Sequence, residues 1–117
     1  MKKSILTISL VFLLNSLIAQ TKIFIDSVTQ YIGKSVAVCS QVFGIKATDK
    51  VVLINLGAAY PASPLTIAIL AKDFANFTTP PAEFYKNKKL CVTGIVELFK
   101  NKAQIVITKP EEISLVE

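Results

Sequence analysis

Hydrophobic and polar positions alternate along most of this chain with the two-residue period of strands. Between Ser35 and Ile45, Val36, Val38 and Val42 share one face, and Ala37, Cys39 and Gln41 share the other. Such alternation predicts a half-buried strand, which Gly44 ends or bends. The polar stretch 46–50 separates it from Val51–Leu56, a β-branched run that predicts a second strand. Gly57, Pro61 and Pro64 make 57–64 a loop. Leu65, Ile67 and Ile69 then keep one phase in a third strand, 65–70. Residues 88–107 read as two further strands joined by a short basic turn. Leu90, Val92, Val96 and Leu98 hold one phase there, with Gly94 interrupting the row. A lone glycine inside a strand pattern marks a bulge or a sharp bend. Small barrels need such bends, because one long strand serves both walls.

The remaining segments carry less signal. Residues 72–85 suggest short helical turns, with Asp73 as a cap and Phe74 and Phe77 packed inward. Pro80-Pro81 stops the first turn, and Ala82–Tyr85 predicts a second. Lys22–Ile32 is open: Ile23, Val28 and Ile32 fit one helical face, while Phe24 and Ile25 fit the start of an edge strand. Lys109-Pro110 ends the fifth strand, and Ile113–Val116 predicts a last edge strand. The order is three strands, a partly helical connection and two strands. Five short strands are too few for an immunoglobulin-type sandwich. They predict an all-β fold, the five-stranded Greek-key barrel known as the OB-fold, with a short helical connection between strands three and four. In that barrel the first strand lies beside both the second and the fourth.

Residues 1–19 have the layout of a secretory signal peptide: Lys2 and Lys3, an apolar run from Ile5 to Leu14, and the small residue Ala19 before Gln20. Its removal takes two of the 13 basic residues and lowers the formal charge from +5 to +3. What remains, 20–117, fits one small domain around a single core. Export predicts a disulfide-permissive compartment. Cys39 and Cys91 both lie opposite in phase to the core residues, on strands expected to be neighbours, so a cross-strand disulfide is predicted. By loop entropy it is worth about 3–4 kcal/mol. Two cysteines without histidine do not make a closed zinc site.

Four blocks carry a family resemblance. They are Gly33-Lys34-Ser35-Val36-Ala37-Val38-Cys39; Val52-Leu53-Ile54-Asn55-Leu56-Gly57 followed by Tyr60-Pro61; Tyr85-Lys86-Asn87-Lys88-Lys89-Leu90-Cys91-Val92-Thr93-Gly94; and Ala103-Gln104-Ile105-Val106-Ile107. Together, over about residues 33–114, they resemble the small exported bacterial OB-fold domains that occur alone or beside nuclease domains of the thermonuclease type. The resemblance implies the OB-fold and nucleic-acid binding, with a nuclease as a possible partner. It implies no catalytic site, since the nuclease centre of such proteins lies in another domain. Asn101 stands where that pattern often has glycine in the turn, and the basic residues here are all lysine.

OB-folds bind single strands by tracking phosphates with a basic groove and stacking bases on aromatic rings. Lys46 and Lys50 lie in the first expected loop, Lys100 and Lys102 in the second, with Phe43 and Phe99 near the same ends and Tyr60 after the second strand. These seven residues are the candidate nucleic-acid contacts, on the expectation that the two lysine-bearing rims lie together. The same residues also read as solvated turn lysines and core phenylalanines. Lysine lacks the planar fork that reads guanine, so weak, salt-sensitive and sequence-tolerant binding of single-stranded DNA or RNA is expected. Without histidine, and with Asp49, Asp73 and Glu83 scattered, no acid–base pair forms, and Glu111-Glu112 reads as a solvated pair. The expectation is a monomeric, non-enzymatic module with no cofactor or metal, secreted or periplasmic. The competing reading is an exported OB-fold protein that binds a small molecule, a glycan or a protein partner.

Overall fold

A computed structural model describes residues 21–116; the signal peptide expected at 1–19 lies outside them. Eight strands form: β1 (Thr21–Ile23), β2 (Ser35–Ala47), β3 (Val51–Leu56), β4 (Leu65–Leu70), β5 (Lys89–Ile95), β6 (Glu97–Phe99), β7 (Lys102–Val106) and β8 (Ile113–Leu115). One helical turn, α1 (Pro81–Phe84), and three 3-10 segments (Ile25–Tyr31, Ala71–Asn76 and Pro110–Glu112) connect them. The sheet order is β6-β7-β4-β3-β2-β5-β8, with β1 also paired to β2. The β1–β2 and β4–β7 pairs are parallel, and the others antiparallel.

The 13-residue β2 organises this sheet. Its first part, Ser35–Gln41, pairs with β5, and its second, Val42–Ala47, pairs with β3. The two parts meet at a bulge between Val42 and Gly44, where Phe43 is the extra residue. A bulge adds twist and re-aims the strand, which lets β2 join two neighbours. The first predicted strand thus does lie beside both the second and the fourth.

The expected barrel of five strands is corrected in two respects. Five strands become eight, and the sheet is not closed. The predicted fourth strand splits into β5 and β6 because Val96 leaves the ladder. Its N–H donates to Lys34 O at 3.0 Å, and its C=O accepts from Gly33 N–H at 2.6 Å. The hydrogen-bonded path therefore ends at β6 on one side and β8 on the other. Beyond the break, Leu98 does not keep the phase of Leu90, Val92 and Val96. Those three are buried, whereas Leu98, on an edge strand with β7 alone beside it, is 55% exposed.

The core consists of the predicted inward residues. Val36, Val38, Ile54, Leu56, Leu65, Ile67, Ile69, Leu90, Val92 and Ile105 are buried, each contributing about 2 kcal/mol by apolar burial. Val28 seals one side from the 3-10 segment Ile25–Tyr31, which resolves the open lead-in as a three-residue strand followed by 3-10 turns. Tyr85 closes another side behind α1; burial raises its phenol pKa. Asp73 is not the cap expected of it. Leu70 occupies the N-cap position, and Asp73 is buried with Oδ2 unbonded. Lys72 Nζ stands 3.5 Å from that oxygen, at ion-pair distance without hydrogen-bond geometry.

Cys39 and Cys91 face each other in the β2–β5 register and are joined as a disulfide. Both point away from the core, as their phase predicts. Among the described residues no helix is long and apolar enough to cross a membrane.

Candidate nucleic-acid interface

The outer face of β3, β4 and β7 is built in cross-strand rows. Lys46, Leu53, Ala68 and Val106 form one; Gly44, Asn55, Thr66, Gln104 and Glu97 form the next. The second row spans five strands and is polar except for Gly44. At its centre Asn55 Oδ1 accepts from Thr66 Oγ1 at 3.1 Å and from Ser63 Oγ at 3.4 Å.

One rim of this face is the β2–β3 turn. Thr48 Oγ1 accepts from the Lys50 and Val51 amides, each at 3.1 Å, and Thr48 N–H donates to Val51 O. That local network satisfies the turn backbone and leaves the exposed Lys46 and Lys50 side chains free of any protein partner among the described residues. The other rim is the β6–β7 turn. Lys100 and Asn101 have φ of 52° and 66°, the left-handed pair that a two-residue hairpin requires and that asparagine accommodates well. The Lys100 ammonium lies 5.3 Å from the centroid of the Phe99 ring. Phe99 is 54% exposed. Lys102, opposite Phe99 in the ladder, sends its Nζ to Pro61 O at 2.9 Å. This bond ties the hairpin to the 57–64 loop, whose Tyr60 is 72% exposed.

That loop has its own anchors. Gly57, at φ 85°, donates its N–H to Ser40 Oγ at 2.9 Å. A Cβ at residue 57 would stand 2.5 Å from Pro64 Cγ.

The structure brings Phe99, Lys100, Lys102 and the Tyr60 loop together, but not the two rims. Lys50 adjoins the Val51–Leu70 end of the β3–β4 ladder, whereas Lys102 precedes Gln104, which pairs with Thr66 near the other end of β4. The rims are thus separated by the length of β4, about 17 Å of strand. The expectation that they lie together is corrected: parallel pairing of β4 with β7 puts the start of β7 at the start of β4, away from the β2–β3 turn. They form two lips on either side of the polar row. Phe43, 49% exposed, sits on the β2 bulge, four strands from Phe99 in the sheet order, so the two rings do not share a lip.

Sequence reading missed Asn55. An asparagine within Val51-Val52-Leu53-Ile54-Asn55-Leu56 is itself a signal, because asparagine is depleted in strands and a buried amide needs partners. By sequence Lys102 reads as a lysine free to contact a ligand, whereas in the structure it bonds a partner 41 residues away in sequence. Among the described residues no cluster of three or more His, Cys, Asp or Glu is placed to hold a metal ion.

No protein-family model and no curated protein matches the chain. Solved structures do. The S. pombe Stn1–Ten1 complex aligns with a TM-score of 0.63 at 12% identity, over 85% of this chain and 79% of that one. An OBody bound to hen egg-white lysozyme aligns at 0.58 and 17% identity, over 86% and 97%. Asparaginyl-tRNA synthetase from Pyrococcus horikoshii aligns at 0.56 and 14% identity; the match covers 82% of this chain and 23% of the synthetase. At these identities the likeness concerns the fold alone, an all-β sheet fold of OB type.

Proposed function

We propose that this chain is an exported, non-enzymatic OB-fold module that binds single-stranded DNA or RNA weakly across the outer face of β3, β4 and β7. The observation that carries this reading is the pair of lips: Lys46 and Lys50 at one end of the face, and Phe99, Lys100 and the Tyr60 loop at the other, flanking a polar row. The lysines attract phosphates and the exposed rings offer stacking surfaces, the combination that sequence-tolerant single-strand binding needs. Lys102 serves chiefly as a brace for the Tyr60 loop. Three free lysines predict a log–log salt slope of about −2. The tRNA synthetase among the structural neighbours is in keeping with a nucleic-acid partner. The disulfide suits a secreted or periplasmic setting, and the resemblance to exported OB-fold domains leaves a separate nuclease as a natural companion.

Fluorescence anisotropy with a labelled 12-nucleotide single strand at two salt concentrations tests this reading. Changing Lys46, Lys50 and Lys100 together to Ala is expected to abolish binding. Unchanged affinity would remove these residues from the site.

A second reading, a protein partner, draws on the exposed Ile95, Leu98 and Phe99 near the β6 edge and on the OBody neighbour, which is bound to lysozyme. Under it, oligonucleotides would not bind, and a triple change of these three residues to Ser would release the partner.

A further inference from the structure

Beyond Gln41, β2 loses one of its two neighbours. Gln41 pairs with Lys89, and Val42 N–H donates to Lys88 O at 2.8 Å; from there to Ala47 the strand has β3 alone beside it. The chain before Lys88 turns away through Asn87, at φ 58°. Hydrogen bonds of an antiparallel pair alternate along each strand, and the turn sets their phase here. Thr48 N–H donates to Val51 O, so Lys46 and Gly44 turn their backbone groups toward β3, opposite Leu53 and Asn55. Ile45 and Ala47 therefore turn theirs to the open side, and among the described residues nothing bonds them there. A groove of about 210 Å³ runs along this edge. Val42, Gly44, Ile45 and Ala47 line one side of it, Ala82 and Lys86 the other. Gly44 belongs to the outer face of the sheet and Ile45, opposite the buried Ile54, to the inner one. Both reach one groove only because it follows the edge of the strand.

We infer that this edge accepts an added strand, an extended segment of another protein that carries an acidic residue between two aliphatic ones. Donors and acceptors alternate along the edge, which matches a peptide backbone; a phosphate would be repelled by the carbonyls. In antiparallel pairing that uses both Ile45 and Ala47, the incoming residue opposite Lys46 lies on the outer face. Its two neighbours lie on the inner face, over the groove. There Val42, Ile45, Ala47 and Ala82 offer apolar surface to aliphatic side chains. The groove is smaller than the roughly 300–1,000 Å³ of a small-molecule pocket, which suits single side chains. The exposed Lys46, Lys86 and Lys88 outnumber the exposed acids nearby, Asp49 and Glu83, so the surroundings favour an acidic segment. A second copy of this chain is the poorer occupant. Pairing two β2 edges about a twofold axis in this register sets Lys46 against Lys46, and like charges directly opposite destabilise a sheet. The surface is separate from the β6 edge, four strands away in the sheet order, and binding here does not depend on nucleic acid.

A labelled heptapeptide of alternating valine and glutamate tests this, by anisotropy on the protein as its host cell produces it, disulfide intact. The expected result is saturable binding that the same peptide with lysine in place of glutamate does not show. In the stated register the valine amides face β2 and the glutamate amides face away. N-methylation of the valine amides therefore abolishes binding, and N-methylation of the glutamate amides leaves it. Peptide slows hydrogen exchange at the Ile45 and Ala47 amides. Ala47→Pro removes a donor that no protein group uses, at an edge position where proline is tolerated, and weakens binding roughly five- to tenfold, the scale of one hydrogen bond. The N-methylated peptides keep the test decisive if that variant fails to fold. No binding by folded protein, equal binding of the lysine peptide, or equal affinity for the two N-methylated peptides would overturn the inference. Exchange at Ile45 and Ala47 that slows with protein concentration alone would give the edge to a second copy, and slowing by a 12-nucleotide single strand would give it to nucleic acid; either result overturns the inference as well.

Discussion

Gly94 and Ile105 meet where β5 passes β7 without pairing: a Cβ at residue 94 would stand 2.6 Å from Ile105 Cγ2. The sheet can curl this tightly because residue 94 has no side chain. Isoleucine branched at Cβ has little freedom to withdraw a γ-methyl. Gly94→Ala is expected to destabilise the fold by about 1–3 kcal/mol through overpacking. Adding Ile105→Ala should recover part of that loss, so the two changes are non-additive in a double-mutant cycle. Urea unfolding of the four proteins measures it; additive effects would mean that the two residues do not touch.

The disulfide joins residues 52 apart in sequence across the centre of the β2–β5 ladder. Loop entropy gives it about 3–4 kcal/mol. Replacing both cysteines with serine should lower the unfolding free energy by that amount, while thiol titration of the denatured wild type finds no free thiol. A loss below about 1 kcal/mol would show that the denatured chain is little constrained by the bridge.

Lys102 braces the Tyr60 loop through Pro61 O. Lys102→Met keeps the apolar stem and removes the donor. Its predicted effect is local: faster hydrogen exchange across 57–64, at the Ala62 amide in particular, which bonds Ala59 O, with global stability changed by less than about 1 kcal/mol. Unchanged exchange in the loop would show that the brace does not hold in solution.

Tyr85 supplies a pH signature. Burial holds its phenol neutral and raises its pKa above the ordinary 10.0. The folded state therefore binds this proton more tightly than the unfolded state does. The associated stability is complete below pH 10, the unfolded value, and is lost as pH rises through the higher folded value. Tyr85→Phe should flatten the alkaline decline in melting temperature relative to wild type; parallel declines would contradict the assignment.

Much of the fold was legible because a period of two is hard to mistake. β3 and β4 occupy the predicted spans, β2 begins where alternation begins, and the outward phase of Cys39 and Cys91 marks the cross-strand pair that forms the disulfide. Gly94 announced the bend. The break at Val96 was hidden, since its hydrogen bonds go to Gly33 and Lys34, more than 60 residues earlier in the chain. Leu98 looks like core in one dimension and becomes edge because β6 has a single neighbour. The site was half legible. Lysine and aromatic residues at the turns are visible in sequence, but which turns share an end of the sheet depends on the parallel β4–β7 pairing. The Lys102–Pro61 bond and the Asn55 hydroxyl clamp are long-range side-chain contacts with no local signature beyond an asparagine in an apolar strand.

The most direct test of binding across this face is a titration of isotopically labelled protein with a 12-nucleotide single strand, followed by amide chemical shifts. Shifts should move at Lys46, Lys50 and Leu53, through Asn55, Thr66 and Gln104, to Phe99 and Lys100, and remain still at Phe77–Tyr85 on the α1 side. Perturbations confined to the α1 side, or none at saturating strand, would contradict the account.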